Sequence, residues 1–167
     1  MSETSNKIIN SAKMEAILKR LAYQIYESNA SNKQVVIAGI YKNGAILAKQ
    51  LCNQLKAISP LEVTYAVIRM DKKDPKQSID TDIKLSSIEN KSVVVVDDVL
   101  NTGKTLIHAT NHFLSISVKQ LQTAVIVNRN HKIYPIKADF KGISLATTLK
   151  EHVSVEMEGA NAGVYLT

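Results

Sequence analysis

Hydrophobic residues along the chain follow two spacings, one typical of helices and one typical of buried strands. From Met14 to Ile25 apolar residues recur every three or four positions, which predicts an amphipathic helix over residues 11–28. The same spacing predicts helices over residues 44–57 and 103–117. Short continuous apolar runs predict strands covered on both faces, and they lie at residues 35–40, 63–69, 92–96 and 121–127.

Two stretches lack either spacing. Residues 70–90 are polar and charged between two strong elements, which predicts a flexible excursion, and the chain after Arg129 is irregular, with short extended pieces such as 152–157. The length of 167 residues suits a single domain over 1–167, with residues 1–7 as a mobile tail.

Strands that alternate with helices predict an α/β fold, in which a central, mainly parallel sheet is flanked by helices and joined by right-handed crossovers. In such sheets ligands bind at the carboxyl ends of the strands. This rule selects four segments for candidate chemistry, residues 39–44, 69–74, 97–105 and 128–131.

Composition narrows the setting and the partners. Hydrophobic residues make up 45% of the chain and charged residues 22%, the balance of an ordinary globular domain. The net charge of +6 favours anionic partners such as phosphates or nucleic acid. No apolar run approaches the roughly 20 residues that span a bilayer, so we expect a cytoplasmic protein without a membrane partner. The one cysteine, Cys52, lies on an apolar helical stretch and is expected to be a buried, unreactive thiol.

The segment Asp97–Thr105 carries the clearest chemistry. A buried strand delivers two adjacent carboxylates, Asp97 and Asp98, to its end, and a turn with Thr102 and Gly103 leads into a helix. The amides of this turn and the helix N-terminus suit a phosphate, and the carboxylates suit a cis-diol. A sugar phosphate presents both groups a few bonds apart.

Two other sites are considered for this segment. Gly103-Lys104-Thr105 looks like the end of a nucleotide-binding P-loop, but that motif needs a glycine five residues before Gly103, where this chain has Asp98. The adjacent carboxylates would also repel a triphosphate. A receiver-like acidic site of a flavodoxin-type fold leaves the Thr-Gly-Lys-Thr loop without a role.

Residues 93–105 resemble the phosphoribosyl-diphosphate signature of type I phosphoribosyltransferases: an apolar strand, two acids, two apolar residues, then X-Thr-Gly-Lys-Thr. The likeness runs from about residue 8 to 155 and is greatest to the PyrR type, a pyrimidine-operon attenuation regulator that is also a uracil phosphoribosyltransferase. Residues 38–48, 127–131 and 135–142 support it. The resemblance implies the type I phosphoribosyltransferase fold, with a small hood region over the site.

The resemblance also implies roles for matching positions. Asp97 and Asp98 would be the catalytic pair that holds the ribose hydroxyls, partly through Mg²⁺ bound indirectly. The 5-phosphate loop would consist of Asn101, Thr102, Gly103, Lys104 and Thr105, and the diphosphate loop of Tyr41, Lys42, Asn43 and Gly44. Arg69 would belong to the hood, with residues 71–76 as its mobile loop, and Lys137 and His131 would contact the base.

Two positions depart from the family pattern. Asn101 stands where hypoxanthine-type relatives place an aspartate and PyrR-type relatives usually a tyrosine, and an amide cannot act as a base. Asn43 stands where PyrR-type relatives usually carry an arginine, so one positive contact to the diphosphate is lost. The asparagine at position 101 weakens the argument for a purine substrate, and it does not establish uracil as the base.

We therefore expect a phosphoribosyltransferase that uses 5-phosphoribosyl 1-diphosphate, Mg²⁺ and a nucleobase, with uracil the leading base. One alternative is an RNA-binding transcription attenuator with little catalysis. Another is a hypoxanthine or guanine phosphoribosyltransferase. The resemblance further implies a homodimer.

Overall fold

The computed structural model describes residues 5–167 and contains three α-helices and nine strands in that range. The helices are α1 (Ser11–Ser28), α2 (Asn43–Ile58) and α3 (Lys104–Phe113). The strands are β1 (Asn6–Ile9), β2 (Gln34–Ile40), β3 (Glu62–Arg69), β4 (Asp80–Thr81), β5 (Ser92–Leu100), β6 (Gln120–Asn128), β7 (Phe140–Ser144), β8 (Val153–Glu156) and β9 (Gly163–Leu166).

The main sheet has the strand order β4-β3-β2-β5-β6-β7. Strands β3, β2, β5, β6 and β7 are parallel, and only the two-residue β4 is antiparallel to its neighbour. One face of the sheet packs on α1 and α2 and the other on α3, so the strands are buried on both faces as their apolar runs predict. The predicted α/β class and parallel sheet are confirmed.

A second sheet of three antiparallel strands has the order β1-β9-β8 and joins the two chain ends. It approaches the main sheet where the side-chain amide of Asn43 donates to the backbone carbonyl of Val155 in β8 (2.9 Å). The small region beside the site is therefore built from the chain ends, whereas the sequence placed the hood loop at residues 70–90. That excursion contains β4 and a short 3-10 helix, Leu85–Ile88, and its flexibility stays a prediction.

Three boundaries differ from those predicted. Strand β5 continues to Leu100 because its backbone stays paired with β6, so the two acids lie within the strand and not after it. Helix α3 ends at Phe113 and not at residue 117. Just after its end, the Ser115 hydroxyl donates to the His112 carbonyl. Asn6 and Lys7, predicted to be mobile, pair with β9; the rest of that tail lies largely outside the described residues.

Two smaller expectations concern the membrane and Cys52. Within residues 5–167 no helix is long and apolar enough to cross a membrane. Cys52 is buried in the core on the α1 and α2 side of the sheet, and burial raises the pKa of its thiol to about 11. The thiolate is therefore scarce at neutral pH, in keeping with an unreactive packing role.

Candidate active site

The two adjacent carboxylates of β5 have different surroundings. Asp97 is almost fully buried, with 4% of the residue exposed, and its Oδ1 lies 3.1 Å from the Lys72 ammonium. Asp98 is partly exposed, and its Oδ2 accepts a hydrogen bond from Asn43 Nδ2 (2.9 Å). Each acid therefore has a partner from a different loop at the carboxyl end of the sheet.

Burial raises the pKa of Asp97 from 3.8 to about 7, because the charged form loses hydration inside the protein. The Lys72 ammonium opposes this effect by stabilising the carboxylate, and the neighbouring Asp98 reinforces it. The Asp97 side chain is thus poised to gain or lose its proton near neutral pH, and a second cation or a set of hydroxyl donors would favour its charged form.

The predicted phosphate loop forms a tight turn before α3. Gly103 has φ +87°, in the left-handed region, and a Cβ there would lie 2.7 Å from Ile136 Cγ2, so only glycine fits. A small cavity of about 40 Å³ lies between Asp97 and this turn, and Thr102 and Thr105 also line it. Amides and hydroxyls around a cavity of this size suit one phosphoryl group.

A larger cavity of about 510 Å³ opens on the same acid pair. Its lining includes both carboxylates, Lys72, Asn101 and part of β8. This volume lies within the range of roughly 300–1,000 Å³ that is usual for small-molecule sites. Asp97 therefore lines two cavities, one the size of a phosphate and one the size of a larger ligand, and Asp98 lines the larger one.

The predicted diphosphate loop lies directly against the acids. Gly44 packs closely against β5. A Cβ on it would lie 2.7 Å from the Val96 carbonyl oxygen and 3.1 Å from Asp97 Oδ1, so a larger side chain would not fit. Lys42, two residues earlier and directly before α2, has φ +73°, a conformation that turns the chain sharply into the helix. Asn43 bonds both to Asp98 and to Val155, so it links this loop with the acid pair and β8.

The segment after β6 forms a third cavity, of about 460 Å³, on the other side of Asn101. His131 lines it, and Nε2 of that ring lies 2.6 Å from the Thr147 carbonyl oxygen. Ile133 and Leu149 supply exposed apolar walls. A planar base could stack in this cavity between apolar surfaces while its polar edge meets Asn101.

The structure does not bring every expected residue to the site. Tyr41 and Lys42 are exposed, and Arg69 is exposed at the end of β3 beside Asp80 of β4. Lys137 is exposed, and neither it nor Arg69 lines any of the three cavities described above.

Two residues in the site were not singled out from the sequence. Lys72 was one of several charges in the excursion, and only the fold shows that it reaches Asp97. Arg129 is 5% exposed and is the more surprising, because its guanidinium bonds to Thr147 Oγ1 (3.0 Å), the Glu151 carbonyl (2.7 Å) and Asn101 Oδ1 (3.4 Å). Its position directly after a predicted parallel strand was the feature of the sequence that could have identified Arg129 as a site residue.

The donor set restricts how a metal ion could bind. Among the described residues no group of three or more His, Cys, Asp or Glu side chains could hold one. Two carboxylates alone suit Mg²⁺, which takes oxygen ligands and often completes its shell with water and substrate phosphates. The site therefore fits a magnesium ion carried in with a diphosphate and not one held by the protein alone.

The comparisons with known proteins agree with this geometry. Residues 5–159 match the family model described as "Phosphoribosyl transferase domain", so the chain belongs to the phosphoribosyltransferase family. Among curated proteins it is similar to the "Bifunctional protein pyrR" of Enterococcus faecalis, with 31% identity over 91% of this chain and 89% of that protein. The PyrR protein of Leuconostoc mesenteroides is 30% identical over 95% of this chain and 96% of its own length.

Solved structures show the same fold at lower identity. A hypoxanthine-guanine phosphoribosyltransferase from Bacillus anthracis superimposes with a TM-score of 0.74 at 21% identity, covering 89% of this chain and 84% of that one. The hypoxanthine phosphoribosyltransferase of Trypanosoma cruzi gives 0.73 at 18% identity, with 84% and 81% covered. The recognised family and the PyrR-like class of phosphoribosyltransferase are thereby confirmed.

Proposed function

We propose that this phosphoribosyltransferase transfers the phosphoribosyl group of 5-phosphoribosyl 1-diphosphate to uracil. The bond between C1 of the ribose and the diphosphate oxygen breaks, a bond between C1 and a ring nitrogen forms, and the proton of that nitrogen passes to water. The observation that carries the proposal is the acid pair of β5: Asp97 lines both a phosphate-sized cavity and a larger one, and Asp98 lines the larger one.

Each part of the substrate has a matching group. The amides and hydroxyls of residues 102–105 would hold the 5-phosphate, and the two carboxylates would accept hydrogen bonds from the ribose hydroxyls. The Lys72 ammonium, already beside Asp97, would lie near the departing diphosphate. Magnesium bound to the diphosphate would neutralise part of the charge that collects on the leaving group.

The chemistry requires no nucleophilic side chain. As the C1 bond to the diphosphate lengthens, positive charge grows on the sugar and negative charge on the leaving group, so fixed donors and cations lower the barrier. Water must be kept from the sugar cation, and closing of residues 71–76 over the cavity would do this.

Uracil is favoured over a purine by Asn101 and by the relatives. The Oδ1 of Asn101 accepts from Arg129, which leaves its amide protons to donate to a carbonyl of the base and gives the site no carboxylate at this position. The curated relatives are PyrR proteins, while the hypoxanthine enzymes share only the fold at 18–21% identity.

A base-by-base transfer assay with phosphoribosyl diphosphate and Mg²⁺ tests the proposal. We expect nucleotide from uracil, and we expect Asp98→Asn to lower kcat/KM about a hundredfold because it weakens the grip on the ribose. Glu15→Gln, which changes an exposed carboxylate on α1 that lines none of the cavities described above, is the control. Use of hypoxanthine or guanine with uracil ignored would favour the purine activity, and no transfer to any base would remove the proposal.

RNA binding by a homodimer is a second function, proposed on a separate observation. The curated relatives are named bifunctional, and this chain carries a net charge of +6. Binding of a pyrimidine-operon leader hairpin should weaken with salt, with a slope in log K near −0.7 to −0.9 per phosphate contact. It should also exceed binding of a scrambled hairpin, and sedimentation should give a dimer. Equal binding of both RNAs would contradict specific recognition and would indicate only non-specific attraction to a basic surface.

A further inference from the structure

The imidazole ring of His131 has one orientation, which is set by the backbone carbonyl of Thr147. The ring nitrogen Nε2 lies 2.6 Å from that oxygen, which can only accept a hydrogen bond, so Nε2 carries the proton. Turning the ring over would bring a carbon atom to this short distance, which excludes the other orientation. The neutral ring therefore has its free lone pair on Nδ1, and Nδ1 is a hydrogen-bond acceptor.

The acceptor nitrogen of His131 faces the cavity of about 460 Å³ beside it. His131 lines this cavity and Thr147 does not, so the edge of the ring with Nε2 is turned away from it. The two nitrogens lie on opposite edges of the ring. Nδ1 makes no hydrogen bond within residues 5–167, and it is not one of the buried side-chain atoms of that range that lack a partner, so solvent reaches it. The cavity thus contains an accessible acceptor that no group of the described chain uses.

A buried charged side chain keeps the partner of this ring in place. The Thr147 hydroxyl accepts hydrogen bonds from Nε (3.1 Å) and Nη2 (3.0 Å) of Arg129. The same Nη2 donates to the carbonyl of Glu151 (2.7 Å), which fixes the segment on both sides of Leu149. The ring of His131 is therefore oriented before any ligand binds, which reduces the entropy lost on binding.

Backbone hydrogen bonds on both sides of the histidine hold its loop against the turn that contains Asn101. Arg129 N donates to the Leu100 carbonyl (3.0 Å), and Ile133 N donates to the Thr102 carbonyl (2.9 Å). The histidine lies midway between the two donors, and Asn101 lies between the two acceptors. Both side chains line the same cavity, so one small ligand can contact both.

Asn101 supplies a donor beside this acceptor. Its Oδ1 accepts from Arg129 Nη1 (3.4 Å), which leaves both protons of Nδ2 for a ligand. Asn101 also lines the two cavities that Asp97 lines, and His131 lines neither of them. A ligand that extends from the acid pair into the base-side cavity therefore meets a donor first and an acceptor next.

Uracil has the matching groups in the matching order. The ribose is joined to N1, the next ring position carries the carbonyl oxygen O2, and the position after it is N3–H. In this pose O2 accepts from the amide of Asn101, and N3–H donates to Nδ1 of His131. Cytosine has the same carbonyl, but its N3 has a lone pair and no proton, so two acceptors would oppose each other. Leaving such groups without a hydrogen bond is costly and discriminates between ligands.

We propose that His131 selects uracil over cytosine by accepting a hydrogen bond from N3–H at Nδ1, while Asn101 donates to O2. The inference rests on the transfer to uracil proposed above, and it adds the side chain that distinguishes this base from the other common pyrimidine.

The ¹⁵N resonances of the His131 ring, measured by NMR at mildly alkaline pH, test the proposal without turnover. We expect Nδ1 to have the chemical shift of an unprotonated ring nitrogen in the free protein. Saturation with UMP should move this resonance, and the same concentration of CMP should not. A proton on Nδ1 in the free protein would overturn the proposal, and so would equal shifts with the two nucleotides.

Two variants separate the acceptor from the rest of the ring. His131→Asn can place its amide oxygen near the position of Nδ1, whereas His131→Gln can retain the donor to the Thr147 carbonyl but loses the acceptor. We expect His131→Gln to lower kcat/KM for uracil about tenfold and to reduce the preference for UMP over CMP by a similar factor. His131→Asn should retain that preference. His108→Gln, on α3 and outside the cavities described above, is the matched control and should change neither quantity.

The transfer assay distinguishes a failure of this inference from a failure of the proposed function. If no base accepts the phosphoribosyl group, the transfer itself is refuted, and the selection of uracil falls with it. If uracil is used but His131→Gln keeps the full preference for UMP, the transferase stands and the role of His131 is refuted. Transfer to uracil without any effect of UMP on Nδ1 leads to the same conclusion.

Discussion

The carboxyl group of Asp97 combines burial with a single charged partner. Its pKa near 7 results from two opposing effects, loss of hydration and attraction to Lys72. The Lys72 side chain is itself 41% exposed, so solvent screens its effect and a substrate can displace it. Hydroxyl donors or Mg²⁺ near the carboxylate would take over the role that Lys72 has in the free protein.

The variant Lys72→Gln should raise the pKa of Asp97 further, because the cation that favours the carboxylate is removed. The ¹³C carboxyl resonance of Asp97, followed against pH, measures this change directly. Binding of phosphoribosyl diphosphate should then require a higher pH than in the unaltered protein. Lys73→Gln removes a neighbouring exposed charge and should leave the titration of Asp97 where it was.

At the level of elements, Arg129 fastens the segment after β7 to the end of β6. Its guanidinium donates to Thr147 and to the carbonyls of Thr148 and Glu151, so residues 147–151 are fixed by one side chain. The same group donates to Asn101, which directly follows β5. Arg129 therefore holds in place the segment that contributes Leu149 to the wall of the cavity beside His131.

The variant Arg129→Gln should lower the free energy of unfolding by about 2–3 kcal/mol, because several carbonyl groups lose a charged donor. It should also raise KM for the base more than it lowers kcat, since the cavity wall loosens while the acid pair stays in place. Denaturant unfolding and steady-state kinetics measure the two effects. Lys141→Gln, at an exposed position of β7 that lines none of the cavities, should change neither, and an unaltered KM in Arg129→Gln would contradict the positioning role.

At the level of the whole molecule, the carboxyl group of Asp97, buried in the sheet, makes stability depend on pH. The pKa of Asp97 rises from 3.8 to about 7 on folding, so the folded state holds a proton that the unfolded chain releases. The resulting stabilisation is complete below the lower value and is lost as pH rises through the upper one.

The variant Asp97→Asn should therefore gain stability relative to the unaltered protein as pH rises from about 4 to about 7, by an amount on the order of a few kcal/mol. Above and below this range the difference should stay constant. Urea unfolding at a series of pH values measures it. A difference that does not change across the range would show that the carboxyl titrates alike in the folded and unfolded states.

The local pattern alone was enough to locate most elements, the parallel sheet and the Asp97–Thr105 motif. Continuous apolar runs can be satisfied only by strands buried on both faces, and a glycine at φ +87° is a local requirement of the turn. The end of β5 was misplaced because Asp97 and Asp98 interrupt the apolar run, while pairing with β6 holds them in the strand.

The chain by itself thus determined which segments are buried strands, the glycine turn before α3 and the identity of the acid pair, since each depends on neighbours in sequence. Only the tertiary structure decided that Lys72 reaches Asp97, that Arg129 points inward, and that the two chain ends form one small sheet. It also set the loop of His131 against Asn101. These contacts join residues far apart along the chain, and no periodicity or short motif records such distances.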